Sequence, residues 1–160
     1  MKRTAIAFFI TFLFLILISA CKENAYVDWK LLNDNWYEIH KHDSGFITTP
    51  SGLCYKVIHQ GYQRRPNINS IVIVNYKGSL IDGSIFDSVP TGKSIAILLS
   101  RTVKGWKEGL PKMNEGGRYR FYIPSKLGYD TATTDPKIPP HSVLIFDVTL
   151  NAVQNQFISQ

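Results

Sequence analysis

"SIVIVNYKGSLIDGSIFDSV", Ser70 to Val89, is the stretch from which the rest of the chain can be read. Its first eight residues are largely β-branched or aromatic, which marks a strand. "IDGS", residues 81–84, contains the Asp-Gly pair of a turn. Beyond the turn Asp87 stands between Phe86 and Ser88, with Ile85 just upstream. A carboxylate in an apolar run is costly to bury unless it is paired or hydrogen-bonded. Asp87 is therefore a candidate catalytic acid or base, a candidate metal ligand, or a group that only accepts hydrogen bonds.

The chain has 160 residues and a net charge of +6, and its start biases both figures. Lys2 and Arg3 precede an apolar run from Ala5 to Ile18 that only Thr11 interrupts, and "LISAC" follows at 17–21. A positive start, a short apolar core and small residues before a cut site describe a secretory signal peptide. The run is shorter than the ~20 residues of a spanning helix. Ile18-Ser19-Ala20-Cys21 resembles a bacterial lipobox, in which the cysteine is lipidated and becomes the first mature residue; the alternative is an ordinary signal peptide with a chance cysteine. Each buried methylene of an acyl chain on Cys21 would contribute roughly 0.8 kcal/mol to membrane attachment. The mature chain would then hold 140 residues at net charge +4, enough for one domain with its own core. There is no basic run beyond pairs such as Arg64-Arg65, so nucleic acid is not an expected partner. With Cys21 lipidated, Cys54 has no disulfide partner.

Four segments are expected: a lipoprotein signal peptide (1–20), a lipidated start with a helical extension (21–48), the main domain (49–153) and a tail (154–160). Ala25 to His42 has the spacing of a helix, with Trp29, Leu32, Trp36 and Ile39 as its apolar stripe. That stripe packs on its own domain, or it is a homodimer seam or partner-docking face. "TPSG" at 49–52 is a turn. Strands are predicted over Leu53–His59, Ser70–Lys77, Ile95–Leu99, Arg118–Pro124 and Ser142–Val153. "VKGWKEGLPKM", Val103 to Met113, fits a short helix limited by Pro111, and Lys126 to Pro140 is a long loop. Four or five antiparallel strands and one short central helix make an α+β fold, whose sheet buries one face against that helix.

The usual catalytic signatures are missing. The four histidines His40, His42, His59 and His141 form no HExxH pattern, so no zinc site is expected. No GxSxG elbow, phosphate loop or dinucleotide fingerprint occurs. Cys54 reads as a small apolar filler rather than a nucleophile. What the chain offers instead is aromatic residues near loop and strand ends: Tyr76, Phe86, Trp106, Tyr122, Tyr129 and Phe146.

Four blocks then resemble one family. "NYKGSLIDGSIFDSV" (75–89) is similar to the first signature of FKBP-type peptidyl-prolyl isomerases, "VKGWKEGLPKM" (103–113) to their central helix, "IPSKLGYD" (123–130) to the loop with the pocket tyrosine, and "IPPHSVLIFDVTL" (138–150) to the closing loop and last strand. The resemblance implies a five- or six-stranded antiparallel half-barrel wrapped around a short helix, with a proline-binding pocket between them. It implies Trp106 as the pocket floor, Tyr76, Phe86, Val103, Ile138 and Phe146 as walls, and the Tyr129 hydroxyl and Val103 N–H as donors to substrate carbonyls. Asp87 matches the pocket-edge aspartate. Ile97 and Thr102 fall where the family contacts substrate, but Ile97 stands where an aromatic residue is usual. Asp130 and Lys137 replace a glycine and an apolar residue at the rim.

The implied activity is isomerisation of Xaa-Pro bonds in exported proteins, without cofactor or covalent catalysis, by a protein lipid-anchored in the cell envelope, at the outer membrane in particular. The alternative is a non-catalytic peptide-binding or chaperone lipoprotein using the same groove. Amide rotation offers no proton to a general base, so Asp87 is expected to orient Tyr76 or Tyr129.

Overall fold

The computed structural model describes residues 26–132 and 135–155. Residues 26–40 form helix α1. The strands are β1 (Phe46–Thr48), β2 (Cys54–His59), β3 (Ser70–Ser79), β4 (Ile85–Ser88), β5 (Ile95–Leu98), β6 (Arg118–Ile123) and β7 (Leu144–Asn155). Helix α2 (Lys104–Gly109) lies between β5 and β6 and continues as a 3-10 turn, Leu110–Lys112. All pairings are antiparallel, in the order β1-β2-β6-β7-β3-β4, with β5 also on β3.

β3 is the organising strand. Its residues alternate between fully and partly covered, as a period-two side-chain pattern requires. One edge pairs along its whole length with β7, Ser70 opposite Asn155 through Ser79 opposite Ile145. The other edge is shared: β5 takes Ile71–Val74 and β4 takes Lys77–Ser79. The Asp-Gly turn joins β3 to β4. Leu80 accepts from the Gly83 N–H at 3.0 Å and donates to the Ser84 carbonyl at 2.9 Å, and Gly83 has φ +85°, a conformation that favours glycine.

α2 presses on the sheet through its glycines. A Cβ on Gly105 would come within 2.6–2.9 Å of three Ile123 side-chain atoms, and one on Gly109 within 2.6 Å of Phe121 Cε1. The bare backbone thus allows close approach to β6, and Trp106, next to Gly105, packs against Tyr76 and Phe146. The core comprises Leu53, Val72, Val74, Leu99, Leu110, Tyr119, Phe121, Ile123, Leu144, Val148 and Leu150 with the aromatic group around Trp106.

Among the described residues there are seven strands rather than four or five, or the five or six of the family pattern. The additions β1 and β4 have three and four residues, too short to show a period. The expected stripe on α1 is also turned. Leu32 and Ile39 are 57% and 67% exposed, whereas Asn33 is fully buried. Trp29, Asn33, Trp36, Tyr37 and His40 form the inner face. The reason is polar docking. Trp29 Nε1 donates to Ser142 Oγ at 2.9 Å, Asn33 Oδ1 accepts from the Val143 N–H at 2.7 Å, and Trp36 packs between His40 and Tyr122. Cys54 is buried in β2, as expected of a filler.

Candidate functional site

A pocket of about 420 Å³ opens between the sheet, α2 and the loop before β7. Trp106 is 95% buried beneath it. Tyr76 of β3 and Phe146 of β7 meet the Trp106 ring nearly edge-on, both at 5.2 Å between centroids. Phe86 of β4 meets Phe146 at 5.4 Å and 86°. Perpendicular contacts satisfy the ring quadrupoles and lock each ring against the next. Gly78 lets Phe86 and Phe146 converge over β3, its bare Cα leaving space for Phe86 Cζ.

Ile97 of β5 supplies a wall, and the segment from Arg101 to Val103 supplies the side next to α2. The 3-10 turn Leu99–Arg101 is closed by Thr102, whose Oγ1 donates to the Leu99 carbonyl at 2.8 Å. Val103 is extended (φ −65°, ψ 157°) and caps α2. Its carbonyl accepts from the Trp106 and Lys107 N–H groups, while its own N–H donates to no acceptor among the described residues.

Tyr129, Asp135 and Ile138 come from the loop between β6 and β7. A 3-10 turn at Ser125–Leu127 places Tyr129, and the Asp130 N–H donates to the Ser125 carbonyl. Asp130 and His141 both have positive φ, 51° and 65°, and a 2.8 Å bond from His141 N–H to the Asp130 carbonyl closes the base of the loop. Lys137, at the rim, donates its backbone N–H to Asp135 Oδ1 and reaches the Phe86 carbonyl with Nζ at 3.4 Å.

The hydroxyls of the two pocket tyrosines differ. Tyr76 donates to Asp87 Oδ2. The Tyr129 hydroxyl has no hydrogen-bond partner among the described residues. Burial pushes the Tyr76 hydroxyl pKa upward, and its bond to Asp87 and the charge there add to this. Burial likewise raises Tyr129, followed by the charges of Asp87 and Asp135. Both remain neutral donors at neutral pH. Among the described residues no cluster of three His, Cys, Asp or Glu side chains could hold a metal ion.

All ten pocket candidates read from the sequence line this one cavity: Tyr76, Phe86, Asp87, Ile97, Thr102, Val103, Trp106, Tyr129, Ile138 and Phe146. Tyr122, the other aromatic singled out, lies instead under α1, stacked on Phe46 at 4.3 Å. Sequence reasoning missed Arg101 and Asp135. Both sit in segments without periodicity; Arg101 adjoins Thr102, whereas Asp135 stands three residues before Ile138, and only such nearness in sequence could have pointed to them. Cys21 lies outside the described residues.

The family model of FKBP-type peptidyl-prolyl cis-trans isomerases matches residues 62–151. The chain belongs to this family. Within it, a probable FKBP-type isomerase FkpA of Neisseria meningitidis is 45% identical over 66% of this chain and 39% of its own length. FkpA of Escherichia coli is 41% identical over 68% and 40%. A protein of Legionella longbeachae named outer membrane protein MIP is 34% identical over 78% and 54%. This FKBP-type chain thus spans about two fifths to a half of the curated relatives it matches. The crystal structure of Escherichia coli FkpA superposes with a TM-score of 0.79 at 36% identity, covering 86% of this chain and 64% of that one. That match extends beyond the 62–151 region.

Proposed function

We propose that the protein catalyses cis-trans isomerisation of Xaa-Pro bonds in exported polypeptides, with 49–153 as its isomerase domain. The observation that carries this is the pairing of an aromatic cavity with donors that have no partner among the described residues, chiefly the Tyr129 hydroxyl and the Val103 N–H. The barrier to rotation, ~18–20 kcal/mol, comes from amide resonance, and the uncatalysed step takes tens to hundreds of seconds. Nothing covalent has to happen. A site accelerates rotation by binding the twisted amide better than the planar one.

The proline ring rests on Trp106, between Tyr76, Phe86 and Phe146, with Ile97, Thr102 and Ile138 around it. Burial there strips the water that stabilises the polar, planar amide. Tyr129 holds the carbonyl before the proline and the Val103 N–H a neighbouring one, so that the imide turns on a defined path. Asp87 keeps Tyr76 in place by accepting its hydrogen bond, which makes it a positioning group rather than a base.

The location we propose is the cell envelope, with a lipid on Cys21. Support comes from the lipobox-like "ISAC" sequence and from the relative named an outer membrane protein. No helix among the described residues is long and apolar enough to cross a membrane. The exposed apolar residues Val27, Leu31, Leu32 and Ile39 of α1 support a homodimer contact, which sedimentation of the full chain tests.

Isomerase activity is tested by NMR exchange on a single-proline peptide with the full chain in detergent. Acceleration is expected, and Tyr129→Phe and Trp106→Ala should each lower it. Equal rates with and without folded protein would exclude catalysis. Suppression of aggregation that survives both substitutions would then favour the chaperone reading.

A further inference from the structure

The charged groups around the pocket are not equivalent. Asp87 is engaged by Tyr76. Asp135 accepts from the Lys137 N–H at 2.9 Å, and the Lys137 ammonium is drawn to the Phe86 carbonyl. Arg101 also lines the cavity, yet it is exposed and its guanidinium makes no hydrogen bond or ion pair among the described residues.

The charges are also segregated. Asp87 and Asp135 line the cavity with Tyr129, and their charges act on its hydroxyl. Arg101 ends the 3-10 turn that begins at Leu99 and stands two residues before Val103, whose N–H has no acceptor among the described residues. Around the tyrosine the mouth thus carries two carboxylates and the engaged Lys137, and beside α2 it carries Arg101 as a cationic corner. A peptide whose proline fills the floor must leave the pocket in two directions, and the cationic corner lies on the Val103 side.

We infer that Arg101 determines substrate specificity by selecting Xaa-Pro-Xaa segments that carry a carboxylate next to the proline. The inference rests on the isomerase reading above. A guanidinium presents a planar fork of donors that matches a carboxylate with two parallel bonds. At a half-open rim such a pair is worth about a fivefold preference, and it weakens with salt. Charges elsewhere on this basic chain would attract any anionic peptide, so a control has to remove charge without touching the pocket. Lys104 serves: it is exposed, and it is not among the lining residues.

The experiment measures catalysed exchange by the full chain in detergent on two sets of single-proline peptides. One set carries Glu, Gln or Lys immediately before the proline, the other immediately after it. In at least one set Glu is expected to exceed Lys by about fivefold, with the advantage shrinking at high salt. Arg101→Gln should abolish that preference, read as the Glu-to-Lys rate ratio within the variant. Arg101→Glu should reverse it, and Lys104→Gln should keep it. Equal rates for Glu and Lys in both sets, or a preference that persists in Arg101→Gln, overturns the inference while the isomerase reading stands. No acceleration of any peptide, the neutral Gln peptides included, removes both.

Discussion

Gly78→Ala tests how the sheet shapes the pocket. Gly78 sits in β3 between Asp87 of β4 and Phe146 of β7. A Cβ there would lie 2.6 Å from Phe86 Cζ, 2.7 Å from Phe86 Cε2 and 2.9 Å from Phe146 Cε1. Carbon pairs are best at about 3.5–4.0 Å, so the rings must retreat by roughly 1 Å. Overpacking costs typically about 1–3 kcal/mol, and replacing glycine in a strand returns about 0.5–1 kcal/mol. A net loss centred on about 1 kcal/mol follows.

The direction of escape matters more than this sum. Strand backbone and the Trp106 group close the space on one side, and the open volume is the 420 Å³ pocket itself. Phe86 therefore moves into the space a proline would occupy. Urea unfolding should show the modest stability loss, while kcat/KM on a proline peptide falls at least about tenfold, equivalent to about 1.4 kcal/mol of transition-state stabilisation. Phe86→Leu in the same background removes the tip of the clashing ring and should recover part of the stability. If Gly78→Ala loses stability but keeps wild-type activity per folded molecule, the rings have yielded elsewhere and the reasoning is refuted.

Three further outcomes are expected. Asn33→Ala should cost about 1–3 kcal/mol in urea unfolding, because it strands the buried Val143 N–H without its acceptor; an unchanged midpoint would show that α1 does not brace this loop. Tyr37 is pushed up to about 12 by burial, and Tyr76, Tyr119, Tyr122 and Tyr129 are raised with burial as the first cause. The folded state then holds these protons more tightly than the unfolded chain, so their contribution is complete below about pH 10 and is lost as pH rises through the folded values. Thermal unfolding should decline steeply above that pH, and Tyr37→Phe should soften the decline toward pH 12. Asp147→Asn breaks the two-pronged contact with Arg120, at 2.7 and 2.8 Å, and should cost less than about 1 kcal/mol, because the arginine is partly exposed. A salt titration of the difference checks this, since the loss should shrink as salt rises.

The long strands and α1 were legible because their side chains repeat with a period, whereas α2 was read from a short segment with Gly105 near its start and Pro111 limiting its length. β3 runs ten residues with its alternation intact, and β6 alternates Arg118 and Arg120 with buried Tyr119 and Phe121. β1 and β4 were not legible. A strand of three or four residues is defined by its partner's hydrogen bonds, which leave no mark in its own composition. The α1 stripe misled for a different reason. Apolar spacing selected Leu32 and Ile39, whereas the buried face is fixed by an asparagine amide that serves two backbone groups, the Trp29 carbonyl and the Val143 N–H. At the pocket, family-like blocks brought the aromatic residues together. Arg101 and Asp135 stayed hidden because a rim charge has no pattern beyond its neighbours.

The network outside the pocket explains how weak donors can act together. Among the described residues the segment that carries Tyr129 and Ile138 holds one 3-10 turn, Ser125–Leu127, and otherwise only isolated turns, yet it is pinned at successive points. Asp130 and His141 tie its base, Asp135 and Lys137 its rim, and Ser142 Oγ donates to the Pro139 carbonyl at 2.6 Å. Ser142 in turn accepts from Trp29 of α1, and the next residue is held by Asn33. The N-terminal helix is thereby linked, through two side chains, to the loop that forms one wall of the cavity. On the mechanism proposed above, holding an amide in a twisted geometry needs donors that do not yield. Asp87 fixes one tyrosine, and the Trp29–Ser142–Pro139 relay helps to fix the loop on which the other, free tyrosine waits.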